Sequence, residues 1–133
     1  MKPILLDTVG LIALWNRSDQ WHTSAKKAFD ELVIARREFI TTSAILLECG
    51  NTAARQPFRN EVFLLKNQLE ARGLLIFPTH EDWQNAWQLY ENGEADQAGI
   101  VDCLTFAVMR RLDLHQSFTN DRHFQAAGFE TLF

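Results

Sequence analysis

Short apolar runs that alternate with helix-period segments predict an α/β fold, a sandwich of helices around a mostly parallel central sheet of about four to five strands. Three observations carry this reading. Runs such as PILL, LLIF and QSFT have strand length and strand composition. The stretches between them repeat their apolar residues at helical spacing. No repeat, low-complexity tract or linker breaks the alternation, so one domain over residues 1–133 is expected.

Taken in order, PILLD (3–7) reads as a buried strand, and TVGLIALW (8–15) has helical length with Asp7 or Thr8 as its cap. Between Ser18 and Arg37, apolar residues at Trp21, Ala25, Ala28, Leu32 and Ala35 keep helical spacing, with Ser18 or Asp19 capping. Glu38 to Thr42 holds the strand-like Phe39-Ile40-Thr41, and Ser43 is expected to cap AILLECGNTAA. Pro57 opens the next helix, where a missing amide hydrogen does no harm; Phe58, Val62, Leu65 and Leu69 share its inner face and Gly73 ends it. LLIF (74–77) reads as a buried strand, and Thr79 caps EDWQNAWQLY. Glu91 to Gln97 is polar and loop-like. GIVDCLTFAVMRRL (99–112) is a helix apolar nearly all round, so deep packing is expected. QSFT (116–119), DRHFQAA and FETLF then read as strand, short helix and last strand.

The chain carries 13 Lys and Arg against 17 Asp and Glu, a formal net charge of −4. That balance argues against a simple basic nucleic-acid-binding module. It leaves open a protein whose acids gather in one metal site while its bases face a polyanion. The longest nearly uncharged apolar stretch, Ala98 to Met109, contains Asp102 and is too short to span a bilayer. An acid at position 7 precedes any signal-peptide core. Cys49 and Cys103 form neither a CxxC nor a disulfide framework. A cytoplasmic setting without membrane attachment is expected.

Four acids occupy unusual positions. In an open α/β sheet, ligands bind beyond the carboxyl ends of the strands. Asp7 directly follows the first strand and Asp121 follows another, although each alone would serve as an ordinary helix N-cap. Asp102 lies mid-helix among Ile100, Val101, Cys103, Leu104 and Phe106, and Glu48 lies between Leu47 and Cys49. A carboxylate buried without a partner costs several kcal/mol by rough estimate, so it must be paired, protonated or metal-bound. A structural salt bridge or a solvated face would explain either one, but apart from Arg55, one turn beyond Asn51, no Lys or Arg lies within helical reach. Converging carboxylates need a cation, and all-oxygen ligation suits Mg²⁺ or Mn²⁺, as one or two ions, rather than zinc. Two such ions can assist an in-line phosphoryl displacement.

The blocks ILLDTVGLIAL (4–14), SDQWHTSAKKAF (18–29), TTSAILLEC (41–49), GIVDCLTFAVM (99–109) and FTNDRHFQAAGF (118–129) make the chain resemble the PIN-domain nucleases, particularly VapC-type toxins of toxin–antitoxin pairs. The resemblance runs nearly end to end. It implies a PIN-like α/β/α sandwich and a Mg²⁺- or Mn²⁺-dependent endoribonuclease that leaves 5′-phosphate and 3′-hydroxyl ends. Its acidic quartet maps onto Asp7, Glu48, Asp102 and Asp121: Asp7, Asp102 and Asp121 as ligands, with Glu48 completing the pocket. Thr8 and Thr119 match nearby hydroxyl positions, and Asn120 either touches substrate or closes the turn. The resemblance further implies an RNA substrate such as tRNA or rRNA, a cognate antitoxin protein and a homodimer. The chain departs from many relatives at Val9, where they have Ser, and at Ala98-Gly99, where they have Trp-Ser.

Other residues read more plainly. His22, His80, His115 and His123 show no paired metal spacing. His22 reads as packing and His123 as an exposed helix residue, with a phosphate contact as its alternative. Asp96, in a polar loop, reads as solvated. Trp83, Trp87 and Tyr90 form a stripe that is read as core, with base stacking as the alternative. Phe63 and Leu64 fall outside the main face of their helix and leave apolar area for a partner. Arg55, Arg59, Lys66, Arg110, Arg111 and Arg122 are candidate phosphate contacts or plain surface. A catalytically silent RNA- or antitoxin-binding PIN module, or a housekeeping PIN nuclease without antitoxin, are the competing functions. A phosphatase would want an acid at position 9, which is Val, and a receiver domain would want a late Lys, absent after Lys66.

Overall fold

The computed structural model covers residues 1–133. Five short strands form one sheet: β1 (Ile4–Leu6), β2 (Phe39–Thr42), β3 (Leu75–Ile76), β4 (Gln116–Phe118) and β5 (Glu130–Thr131). Eight helices connect them: α1 (Thr8–Trp15), α2 (His22–Ile34), α3 (Ser43–Ala53), α4 (Arg59–Ala71), α5 (His80–Glu91), α6 (Glu94–Gln97), α7 (Ile100–Arg111) and α8 (Arg122–Ala126). The strand order is β3-β2-β1-β4-β5 and every pairing is parallel. The predicted α/β fold with its mostly parallel sheet is therefore realised as five strands, all parallel.

Parallel strands need crossovers, and right-handed ones place helices that step one way along the sheet on one face and those that step back on the other. The helix contacts fall into two such groups. Helices α1 to α4 contact one another, as do α5 to α8, with α3 touching α7 between the groups. The core is built from the strands (Ile4, Leu5, Leu6, Phe118) and the inner faces of the helices (Leu11, Ile45, Phe106, Met109, Phe124). Helix α7 buries Cys103 and Thr105 through Met109, as its apolar composition predicts. Two strand hydroxyls tie the sheet further: Thr41 Oγ1 donates to Leu6 O at 2.7 Å and Ser117 Oγ to Leu5 O at 3.1 Å.

Several boundaries differ from expectation. Helix α2 starts at His22, not near Ser18, because Asp19 spends its side chain on a turn, accepting from the Trp21 amide at 2.8 Å. Thr42, not Ser43, caps α3 by accepting from the Ile45 amide at 3.1 Å. Strand β3 is a two-residue, half-buried edge, and Phe77 beyond it is exposed. The polar stretch before α7 is not a plain loop: α6 is a single turn with left-handed backbone at Ala95, Asp96 and Gln97. The stripe Trp83, Trp87 and Tyr90 is not core. These rings are 53%, 42% and 50% exposed and meet edge to face, at 5.8 and 5.5 Å between centroids. Helix α5 instead buries Asp82 and Ala86. No helix is long and apolar enough to cross a membrane.

Candidate active site

The chain order reverses beside β1, with β2 and β3 on one side and β4 and β5 on the other, and the crevice at such a switch point is where open α/β sheets bind ligands. Asp7 stands there. It leaves β1 with extended backbone and caps α1, accepting from the Val9 amide at a long 3.4 Å. Its side chain is almost wholly buried, at 2% exposure. Helix α1 reaches this place because Gly10 lies against the end of β4. A Cβ built on Gly10 would stand 2.0 Å from Phe118 O, so only glycine permits this approach.

The opposite wall comes from the chain just after β4. Thr119 is buried and accepts from the Asp121 amide at 3.1 Å, and its hydroxyl is near enough to Asp7 to hold that carboxyl's rise in check. Asp121 caps α8 by accepting from the His123 amide at 2.9 Å. Asp102 projects from the first turn of α7, half-buried. Glu48 extends from α3 and accepts a hydrogen bond from Thr8 Oγ1. Both strand-end acids are thus helix caps and members of one acidic group.

The electrostatics tie the four together. Burial pushes the Asp7 carboxyl up to about 7; the charges of Asp102 and Asp121 add to this, while Thr119 and the Thr8 amide oppose it. Burial likewise raises Asp102 to about 6, with Asp121 and Glu48 adding and His123 opposing. No Lys or Arg figures in either balance. Asp82 makes the contrast clear. It is as buried as Asp7, and burial would raise it, yet the Arg111 fork at 2.8–3.1 Å and its amide bonds in the Thr79 capping box hold it below the usual range. A buried acid with a structural role is paired here, whereas Asp7 and Asp102 are left with other acids for company.

As they stand, no three His, Cys, Asp or Glu side chains close into a ready-made metal cage. The donor set nevertheless fits a hard divalent cation: it offers carboxylate oxygens alone, and a buried carboxyl without a basic partner is what such an ion would compensate. A cleft of about 650 Å³ lies elsewhere, lined by residues from the end of α1 through the start of α2 and from Gln56 to Glu61.

The PIN-domain profile matches residues 4–130. The chain belongs to the PIN-domain family. Among solved structures it is similar to VapC20 of Mycobacterium tuberculosis, described as a sarcin–ricin loop cleaving toxin, at 23% identity with a TM-score of 0.77 over 95% of each chain. That likeness shows the shared fold. A search of curated sequences returns no match.

This PIN domain brings Asp7, Glu48, Asp102, Asp121, Thr8 and Thr119 to one edge of its sheet, with Asn120 half-buried in the turn before Asp121. Asp96 stays outside, exposed and 4.0 Å from the Arg122 guanidinium. Arg111 is committed to Asp82, Lys66 pairs with Glu70, and Arg110 lies over Phe106 and Phe129. His22 is half-buried, with Nδ1 2.9 Å from Ala13 O. Cys49 and Cys103 are buried and unpaired by disulfide, and burial pushes the Cys49 thiol up to about 12. His123 departs from its reading as an exposed helix residue. It is half-buried, and its ring lies 2.9 Å from Ala95 O. Its spacing from Asp121 is the only signal the sequence offered.

Proposed function

We propose that this PIN domain, a single unit over residues 1–133, is a Mg²⁺- or Mn²⁺-dependent endoribonuclease of VapC type, acting in the cytoplasm as the toxin of a toxin–antitoxin pair. The carrying observation is that buried Asp7 and half-buried Asp102 lie within reach of one another's charge and those of Asp121 and Glu48, with no Lys or Arg to compensate them. Asp7, Asp102 and Asp121 would hold one or two divalent ions, with Glu48 completing the pocket. The bound cation supplies charge neutralisation and Lewis acidity for phosphodiester hydrolysis.

The remaining work falls to the chain's own groups. Thr119 closes the Asp121 turn and sets its hydroxyl beside Asp7, favouring the charged carboxylate. Thr8 Oγ1 orients Glu48 Oε1, leaving Oε2 to take a proton from the attacking water. Looped or unpaired RNA, whose unstacked bases and backbone are accessible to protein groups, is the form such a site would take. VapC20, with the same fold, is described as cleaving the sarcin–ricin loop, so structured rRNA and tRNA are the substrates to try first. Exposed Phe63 and Leu64 on α4, and the aromatic ladder of α5, offer apolar surface for the antitoxin and a second copy.

The test is purified protein on total RNA with Mn²⁺, Mg²⁺ or EDTA, beside Asp102→Asn, with the new ends sequenced. Discrete metal-dependent products bearing 5′-phosphates, absent with Asp102→Asn, are expected. Cleavage that survives the substitution removes this mechanism. The lack of a closed cage favours the second reading, a silent binding module, and a folded protein that neither binds Mn²⁺ nor cuts RNA would establish it.

A further inference from the structure

Strain is concentrated between α5 and α7. Ala95, Asp96 and Gln97 have φ of 54°, 61° and 59°, and none is glycine. Side chains rarely tolerate this region, and runs of it are rarer than single residues. The three make one left-handed turn, closed by the Gln97 amide to Gly93 O and the Ala98 amide to Glu94 O, both at 3.1 Å. Such a turn persists only when its surroundings hold it.

The holding contact is the His123 ring, with Nδ1 2.9 Å from Ala95 O. A carbonyl only accepts, so Nδ1 carries the proton. The backbone amide of the same residue donates to Asp121 Oδ1 at 2.9 Å. On its other side the turn passes through buried Ala98, whose carbonyl receives the Cys103 thiol at 3.6 Å, into the first turn of α7 and Asp102. The second link across this junction, Arg122 to Asp96 at 4.0 Å, is solvent-exposed on both sides and adds little. One residue therefore touches the cap of one acid and the strained approach to another.

We propose that His123 is a positioning residue: by clamping the left-handed turn Ala95–Gln97 onto α8, it fixes the start of α7 and so sets Asp102 against Asp121. This rests on the nuclease reading of the same acids and assigns His123 no contact with substrate or metal. The chemistry of the clamp allows a discriminating pair of variants. Asparagine presents an amide N–H near the place of Nδ1, whereas glutamine presents one near the place of Nε2.

The experiment compares wild type, His123→Asn, His123→Gln and His123→Ala by hydrogen–deuterium exchange at the Gln97 and Ala98 amides, by Mn²⁺ titration and by melting temperature. Faster exchange at both amides and Mn²⁺ binding weakened about ten-fold are expected for His123→Gln and His123→Ala. His123→Asn is expected to stay near wild type in both. The inference is overturned if His123→Asn is as impaired as His123→Gln, which would make the ring a space-filler. It is also overturned if exchange quickens while Mn²⁺ affinity holds, or if neither changes. Wild type that binds no Mn²⁺ overturns the nuclease reading and this inference together; wild type that binds while all variants match it overturns this inference alone.

Discussion

Replacing Gly10 by alanine tests whether the approach of α1 to β4 builds the acidic edge. Two opposed effects decide the outcome. Inside an ordinary helix, Gly→Ala stabilises by about 1 kcal/mol through backbone entropy and propensity. Here the new Cβ would lie 2.0 Å from Phe118 O and 2.7 Å from Phe118 Cδ2. Reaching an ordinary contact of about 3.4 Å requires a shift of about 1.4 Å. The obstacle is a strand carbonyl and a wholly buried ring, neither free to swing away. Overpacking of this kind costs about 1–3 kcal/mol where side chains can yield, and more against backbone. A net loss of about 2 kcal/mol is expected. With an unfolding entropy of about 2.1 cal/mol/K per residue, that loss lowers Tm by about 7 °C for a chain of this size. Because the same shift draws Asp7 away from Thr119, Mn²⁺ affinity should fall in the folded variant as well. Thermal and urea unfolding, with Mn²⁺ titration below the transition, measure both. A Gly10→Ala protein that melts at or above wild type would refute the close-approach argument outright.

Further expectations concern the buried acids. Asp7 has its carboxyl raised from 3.8 to about 7 in the folded protein, so between those values the unfolded chain binds fewer protons and stability falls as pH rises. At about 1.4 kcal/mol per pH unit, the loss is on the order of 4 kcal/mol for the metal-free protein. Urea midpoints in EDTA should drop from pH 4 to pH 8, Asp7→Asn should flatten that drop, and Mn²⁺ should restore the midpoint at pH 8. A midpoint unchanged by Asp7→Asn at pH 8 would remove the unpaired-carboxyl account. Asp82 behaves in the opposite sense: its carboxyl is held low, so its contribution is present above about pH 4 and lost as pH falls below that value. Arg111→Met should destabilise by about 2 kcal/mol, below the roughly 3–5 kcal/mol of a fully buried pair because Arg111 is partly exposed. Adding Asp82→Asn to that variant should recover part of the loss, and a double variant no better than the single would count against the pairing.

The elements were legible because their signals are local. Asp7 and Thr79 announce helix starts by chemistry that acts within three residues, and the apolar run of α7 says it is buried whatever surrounds it. Asp102 stood out for the same reason, as an acid where its neighbours exclude water. What escaped depends on partners distant in the chain. Gly10 in α1 looks like a mild helix penalty until Phe118 is placed beside it. The turn Ala95–Gln97 contains no glycine to betray its left-handed backbone, since the contact with His123 takes the place of intrinsic preference. Trp83, Trp87 and Tyr90 repeat at helical spacing whether they face inward or outward. Only the observed packing, which turns Asp82 and Ala86 inward, decides between those outcomes.

The strand order also sets a timetable for synthesis. Strand β1 lies between β2 and β4, and its bonds to β4 join Leu5 to Ser117, 112 residues further along the chain. Asp7 is made 112 residues before the Thr119 hydroxyl and 114 before the Asp121 charge that shape its surroundings. A growing chain on the ribosome can form α1 to α4 and pair β1 with β2 and β3, yet it still lacks one wall of the acidic edge. The seam between β1 and β4 must wait for both halves of the sheet, so each nascent chain stays without its full acidic group until Asp121 has been translated.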